Sequence, residues 1–245
     1  MKAKLFIAAI VPAVFLIVTA CGGQSKQTAL AGAVTFKLGN ATVESTTGGK
    51  KQLKVGDVIN KGDVIRTGKA STLIITFNQK VAEVEIQQNA EFSIDAFAAD
   101  KKHFNLRKGN AWFRSNKLRK GEDVKLISPT AIAGVRGTKF YTFKMGPFHG
   151  TCHCEGKVDF EVGQSKYKQH HEKDFVVLTK DKKTVLLTPA DMSKIMGMKP
   201  EDMVHRHSSH AGSALGPKDR AMNKEQQARF MQIVTAKFAA AKAAE

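Results

Sequence analysis

From about residue 33 onward, apolar and polar residues alternate with period two. Val34, Phe36 and Leu38 alternate with Thr35 and Lys37. The same pattern holds for Leu73, Ile75 and Phe77, for Val84 and Ile86, and for Phe92 and Ile94. It recurs at Phe104 and Leu106, at Val124 and Leu126, and at Val158, Phe160 and Val162. An extended chain with every second side chain apolar has one buried face, so each run predicts a strand. Gly48-Gly49, Asn78-Gln79, Lys108-Gly109, Lys120-Gly121 and Met145-Gly146-Pro147 mark turns between runs. Short strands closely punctuated by turns predict an all-β fold, an antiparallel sandwich or roll. No run before Thr188 has helical spacing.

Two local features refine this picture. Gly56-Asp57-Val58-Ile59 recurs as Gly62-Asp63-Val64-Ile65. The echo is too short for a repeat architecture. It predicts two tight turns, in which Gly supplies positive φ and Asp bonds its own backbone. The pattern then changes at Thr188-Pro189-Ala190-Asp191, which reads as a helix start with Thr as cap and Pro in the first turn. A stretch with His205, His207 and His210 follows, then an Ala-, Lys- and Gln-rich segment. There Phe230, Ile233, Val234 and Phe238 fall near helical spacing.

The first residues have a different character. A short basic start with Lys2 and Lys4 precedes an apolar run from Leu5 to Val18, the layout of an export leader. The run is shorter than the roughly 20 residues a spanning helix needs. It ends in Val18-Thr19-Ala20-Cys21, followed by Gly22-Gly23, and looks like a bacterial lipobox with Cys21 as the lipidated residue. The predicted organisation is a leader over 1–20, a tether over 21–31, a β domain over 32–187 and a helical, His-containing basic tail over 188–245. Anchoring would place the chain on a membrane, facing the periplasm or the cell surface. Gly22 stands where an acidic residue is associated with inner-membrane retention, which leans toward the outer membrane. Losing Lys2 and Lys4 with the leader lowers the formal charge from +17 to +15. Outside the cytosol such a charge points to anionic envelope polymers, lipid head groups or an envelope protein rather than to nucleic acid. A generally solvated basic surface is the plainer account.

At Ser128 to Phe140 the sequence reads SPTAIAGVRGTKF, and here it resembles the FecR domain family. Segments beginning at Gly32, Leu53, Ser71, Phe104 and Gly156 follow in the order of that family's pattern. The resemblance covers roughly Gly32 to Gly163 and implies an all-β domain of short strands. Within its most specific block, Gly134 and Gly137 flank Val135 and Arg136, and Thr138 follows. A tight turn is expected there, with Val135 inward and Thr138 bonding the turn. Arg136 offers a planar fork of donors, either to a partner or ligand or to neighbouring strands as a structural tie, and the tie is preferred. Family members that regulate iron uptake carry a cytoplasmic segment and a membrane helix before this domain, and they signal to a sigma factor. In this chain an export leader precedes the domain, so direct sigma-factor control is not expected.

Cys152 and Cys154 stand where the family pattern holds apolar residues. On a regular strand both thiols would share a face, with His153 opposite. Two residues apart on a strand means about 6.5 Å, poor geometry for a mutual disulfide. Buried thiols are the preferred reading. The alternative is a metal site that adds His170 or His171 and holds zinc, copper or iron. Neither the haem-attachment pattern nor zinc-finger spacing is present. No nucleophile elbow, phosphate loop or His-Glu-x-x-His helix occurs, so no enzyme activity is expected. The sequence thus describes a non-enzymatic, envelope-anchored binding or scaffold lipoprotein. A metal-binding or redox-sensing periplasmic protein is one alternative. An envelope signalling component with a membrane-spanning partner is another.

Overall fold

The computed structural model describes residues 30–77, 82–98, 100–116, 120–129, 132–162, 165–169, 175–199 and 222–241. Its strands are β1 (Leu30–Leu38), β2 (Ala41–Glu44), β3 (Lys50–Gln52), β4 (Val58–Asn60), β5 (Val64–Thr67), β6 (Thr72–Phe77), β7 (Ala82–Ile86) and β8 (Glu91–Phe97). They continue as β9 (Lys101–Lys108), β10 (Ala111–Ser115), β11 (Asp123–Ile127), β12 (Ile132–Met145), β13 (Phe148–Val162), β14 (Ser165–Gln169), β15 (Phe175–Lys180) and β16 (Lys183–Leu187). Two helices follow, α1 (Pro189–Met196) and α2 (Lys224–Ala240). The all-β expectation with a helical C-terminal part holds.

Neighbouring strands run in the order β3-β2-β5-β8-β9-β11-β12-β10-β7-β6-β1-β4. Among the described residues every pairing is antiparallel except β9 with β11. β13 pairs with β12 along its length. It also pairs with β14 through its C-terminal half and with β15 through its N-terminal half, and β16 lies beyond β15. The inner face of this sheet encloses the main core. Phe77, Phe92, Phe104, Phe113, Phe140 and Phe160 are all buried there. Phe104 is the hub, with ring centroids 4.8 Å from Phe77, 5.5 Å from Phe113 and 6.0 Å from Phe92. Such offset and tilted rings fill volume and add a favourable quadrupole term.

The alternation breaks within β1. In β1 the register against β6 shifts between Val34 and Phe36. A bulge of this kind turns the following side chains to the other face. Val34 is therefore buried, Phe36 is half-buried and Leu38 is 50% exposed. Equal spacing on paper did not give equal burial.

The sheet's other face carries a second core. A row of cross-strand neighbours runs Phe36, Ile74, Glu85, Trp112, Tyr141, Cys152, Val176, Leu187, from β1 to β16. Over the β13–β15–β16 end of this face lie the two helices, through Met192, Ile195, Phe230, Val234 and Phe238. Phe230, Val234 and Phe238 recur every fourth residue, which forms one stripe on a helix. Phe238 stacks on Phe148 at 5.0 Å.

Both helices are capped, α1 at the predicted Thr188 and α2 at Asn223. Asp191 N–H donates to Thr188 Oγ1 at 3.2 Å, and Thr188 N–H donates to Asp191 Oδ2 at 2.8 Å. Gly197 closes α1 at φ 69°, a conformation that favours glycine. α2 then runs antiparallel to α1 and serves its ends. Arg229 Nε donates to the Ile195 carbonyl at 2.9 Å, and Gln226 Nε2 donates to the Met196 carbonyl at 3.1 Å. These are carbonyls that an α-helix leaves without an internal partner. At the opposite end Lys237 Nζ lies 2.9 Å from Asp191 Oδ2. Burial alone would raise the Asp191 carboxyl, but the Thr188 N–H and Lys237 outweigh it and hold it below the ordinary range.

Candidate functional site

Val135, Arg136, Gly137 and Thr138 lie within β12, not at a turn. The expected turn is corrected by the strand register. Arg136 faces Lys157, but Lys139 faces Glu155, so β12 holds one extra residue in this interval. Lys139 faces Glu155 while Phe140 faces His153, so β13 holds its own extra residue at Cys154. Two bulges thus stand side by side, one in each strand. Gly137 has φ 61°, the left-handed value at which glycine carries no Cβ penalty. The bulges have a clear packing purpose. Ala133 and Phe140, at odd and even positions of one strand, both join the main core. Likewise Val158 and Phe160 join the main core, while Cys152, also at an even position, joins the second. Thr138 does not tie a turn. It is 2% exposed, and its Oγ1 has no hydrogen-bond partner among the described residues. The side chains of Val135 and Arg136 lie outside the described residues.

The bulge at Cys154 also interrupts the strict alternation on which a shared face for Cys152 and Cys154 rested. Cys152 is 1% exposed and packs in the second core. Its strand neighbours are Tyr141 and Val176. The Cys154 side chain, His170 and His171 lie outside the described residues, as do Cys21 and His205, His207 and His210. Among the described residues no three His, Cys, Asp or Glu side chains gather as a metal cluster.

Polar groups in the outer row are tied into it. Tyr141 donates its hydroxyl to Gln87 Oε1 at 2.8 Å, and its ring lies 5.0 Å from Trp112 and 5.6 Å from Phe143. Burial, with the nearby Glu85 and Cys152 adding to it, pushes the Tyr141 phenol up to about 12 against an opposing hydrogen bond with Asn110. Such a phenol keeps its proton at neutral pH and acts as a donor, not as a base. Lys139 Nζ sits 5.8 Å from the Trp112 ring centroid. Gly150 lies under Phe143, whose ring fills the space a Cβ would need. These contacts describe a locked surface rather than a reacting one.

One open feature was not read from the sequence. A cleft of about 300 Å³ is lined by Val43, Ser45, Gly48, Gly49, Lys50, Lys51, Val58, Asn60 and Asp63. It lies between β3 and β4, the two ends of the strand path. The second of the echoed Gly-Asp turns contributes Asn60 and Asp63 to its lining, and the first lies beside it in sequence. Asp57 N–H donates to the Lys54 carbonyl at 3.1 Å, and Lys54 N–H donates to Asp57 Oδ2 at 2.8 Å. Asp63 and Asn60 repeat this at 3.2 and 2.8 Å. Gly56 and Gly62 supply φ of 90° and 87°. The backbone N–H at Lys54 and Lys51, at 3.4 Å from Asp57 Oδ1, hold the Asp57 carboxyl below its ordinary value. The repeated Gly-Asp was the available sequence signal. What it could not convey is that these turns bring two strand edges together.

Comparison with known proteins places part of this framework. The family described as FecR protein matches residues 63–154, from the second Gly-Asp turn to the β13 bulge. No curated protein matches the chain. Two crystal structures of a candidate anti-sigma factor from Parabacteroides distasonis ATCC 8503, at 2.50 and 1.65 Å, are similar to it at 14% identity and TM-score 0.44. Each similarity covers 51% of this chain and 57% of that one, so the chain spans little more than half the length of the structures it matches. Among the described residues no helix is long and apolar enough to cross a membrane. The FecR match lies over strands that the alternation predicted, and the similarity to that family spans residues 63–154.

Proposed function

We propose that this chain is an exported FecR-type module, lipid-anchored at Cys21, that works by binding a protein of the cell envelope as part of a signalling or scaffolding assembly. The observation that carries this reading is the FecR-family segment over residues 63–154. Two features agree with it. The lipobox-like Val18 to Cys21 supplies an anchor, and acyl chains contribute about 0.8 kcal/mol per buried methylene. The formal charge, +17 for the whole chain and +15 without Lys2 and Lys4, favours anionic partners. The burial of Cys152 in an apolar core fits a structural thiol better than a redox sensor.

The test is made in cells. Palmitate should label the wild type and not Cys21→Ser, and a photo-cross-linker carried on the β domain should trap a discrete envelope protein. Labelling that survives Cys21→Ser removes the anchor. Cross-linking that yields only lipid or no product removes the protein-binding role.

A further inference from the structure

We propose that the cleft between β3 and β4 is a docking site for an extended acidic peptide, which adds itself as a strand between the two free sheet edges. The proposal deepens the protein-binding reading above and rests on it for the source of the peptide.

The geometry is that of an unfinished closure. Among the described residues β3 pairs only with β2, and β4 only with β1. Each therefore keeps one row of backbone donors and acceptors without a strand partner, the feature by which exposed edges recruit further strands. The lining confirms that the cleft runs along an edge. Lys50 and Lys51 are consecutive residues of β3, and consecutive side chains of a strand point to opposite faces. Both can border one space where that space faces the strand's side. Gly48 and Gly49 leave open space where a Cβ would stand, so backbone can approach closely.

The chemistry selects the occupant. β3 is exposed throughout and brings Lys50 and Lys51. The one carboxylate in the lining belongs to Asp63, which is 3% exposed and accepts the Asn60 N–H. That carboxylate is buried, its Oδ1 without a partner among the described residues, while both lysines are exposed. Apolar contact is on offer too. Val58 lines the cleft at 45% exposure, and Val55, at 63%, lies on the connection between β3 and β4. A segment alternating acidic and apolar residues meets both demands. Most of the lining precedes residue 63, so the site lies beside the FecR-family segment rather than within it.

The experiment uses the full chain in detergent and a fluorescein-labelled hexapeptide of alternating Glu and Val, read by anisotropy. Saturable binding is expected. The same peptide N-methylated at alternate positions keeps its charge but loses its donors, and it should bind at least about tenfold more weakly. The double variant Lys50→Glu, Lys51→Glu should lose about fivefold or more for the acidic peptide and gain for a Lys–Val counterpart. These residues are exposed, so the variant should melt with the wild type. Equal binding of the N-methylated peptide would mean charge attraction alone and overturns strand addition. Absence of saturable binding, or indifference to the double variant, overturns the site. A cross-linked envelope protein that persists in the double variant sinks the cleft while leaving the broader binding role standing. Loss of the cross-link in the wild type, with peptide binding intact, does the reverse.

Discussion

Thr138→Val should stabilise this protein, although Thr138 lies in the most family-specific stretch of the sequence. The side chain is 2% exposed, and its hydroxyl has no partner among the described residues. In the unfolded chain that hydroxyl bonds water. Folding strips the water away and returns nothing, at a cost of about 1–3 kcal/mol for a buried unsatisfied group. Valine has nearly the same shape, removes the penalty and retains the β-branched fit to a strand. The expected gain is about 1–2 kcal/mol. For a domain of this size each kcal/mol moves Tm by about 2–4 °C, so Tm should rise by about 2–8 °C. Urea unfolding should show a higher midpoint at unchanged slope. Thr138→Ser is the matched control, since it keeps the hydroxyl and loses the methyl group, and it should destabilise by about 1 kcal/mol. A fall in Tm for the valine variant would refute the reasoning. It would mean that the hydroxyl is bonded in solution and that Thr138 serves the backbone as its place in the motif first implied.

The helical cover gives two further expectations. Phe230→Ala empties a fully enclosed position between α2 and the second core, and should cost about 3–5 kcal/mol in urea unfolding; a loss below about 1 kcal/mol would show that α2 is not seated there. Asp191 has its carboxyl lowered on folding, so its share of stability is complete above the unfolded value near pH 4 and disappears as pH falls through the folded value. Hydrogen exchange of α2 should therefore be constant from pH 7 to about pH 5, after correction for intrinsic rates, and rise below about pH 4. In Asp191→Asn that acid-induced step should vanish, and a step of unchanged size would assign it to another carboxyl.

Legibility differed from place to place for physical reasons. The strands at Leu73–Phe77, Phe92–Ile94 and Phe104–Leu106 could be read because their inward residues are large and regularly spaced. The Thr188 cap lay in a short local pattern, and the Gly-Asp turns did too. What escaped were events that depend on a partner strand. The bulge in β1 exposes Leu38 although it continues the apolar series. Ile74 looks like an intruder in the alternation of β6, yet it is fully buried, between Phe36 and Glu85 in the outer row. The cleft needed the ends of the whole path to be known. At Arg136 and Cys154 the residue types were noticed, but alternation carried through a bulge gave the wrong local geometry.

The paired bulges in β12 and β13 have a consequence for how this hairpin can change. Each strand carries one surplus residue, so the surpluses cancel and the rungs beyond them come back into step, as two compensating frameshifts restore a reading frame. Loss of Gly137 would remove the surplus of β12 and leave every rung beyond it opposite its present partner. Counted without Gly137, Ala133 and Phe140 have the same parity, so Phe140 stays in the main core and Tyr141 against the second. A β-branched residue in place of Gly137 is therefore more disruptive than its deletion, because the surplus residue and its φ of 61° would remain. Removing Gly137 and Cys154 together would leave two regular strands with the same faces. The two arms of the hairpin are in this sense written in opposite sequence phase, and the two small irregularities are the junction that lets one hairpin carry both.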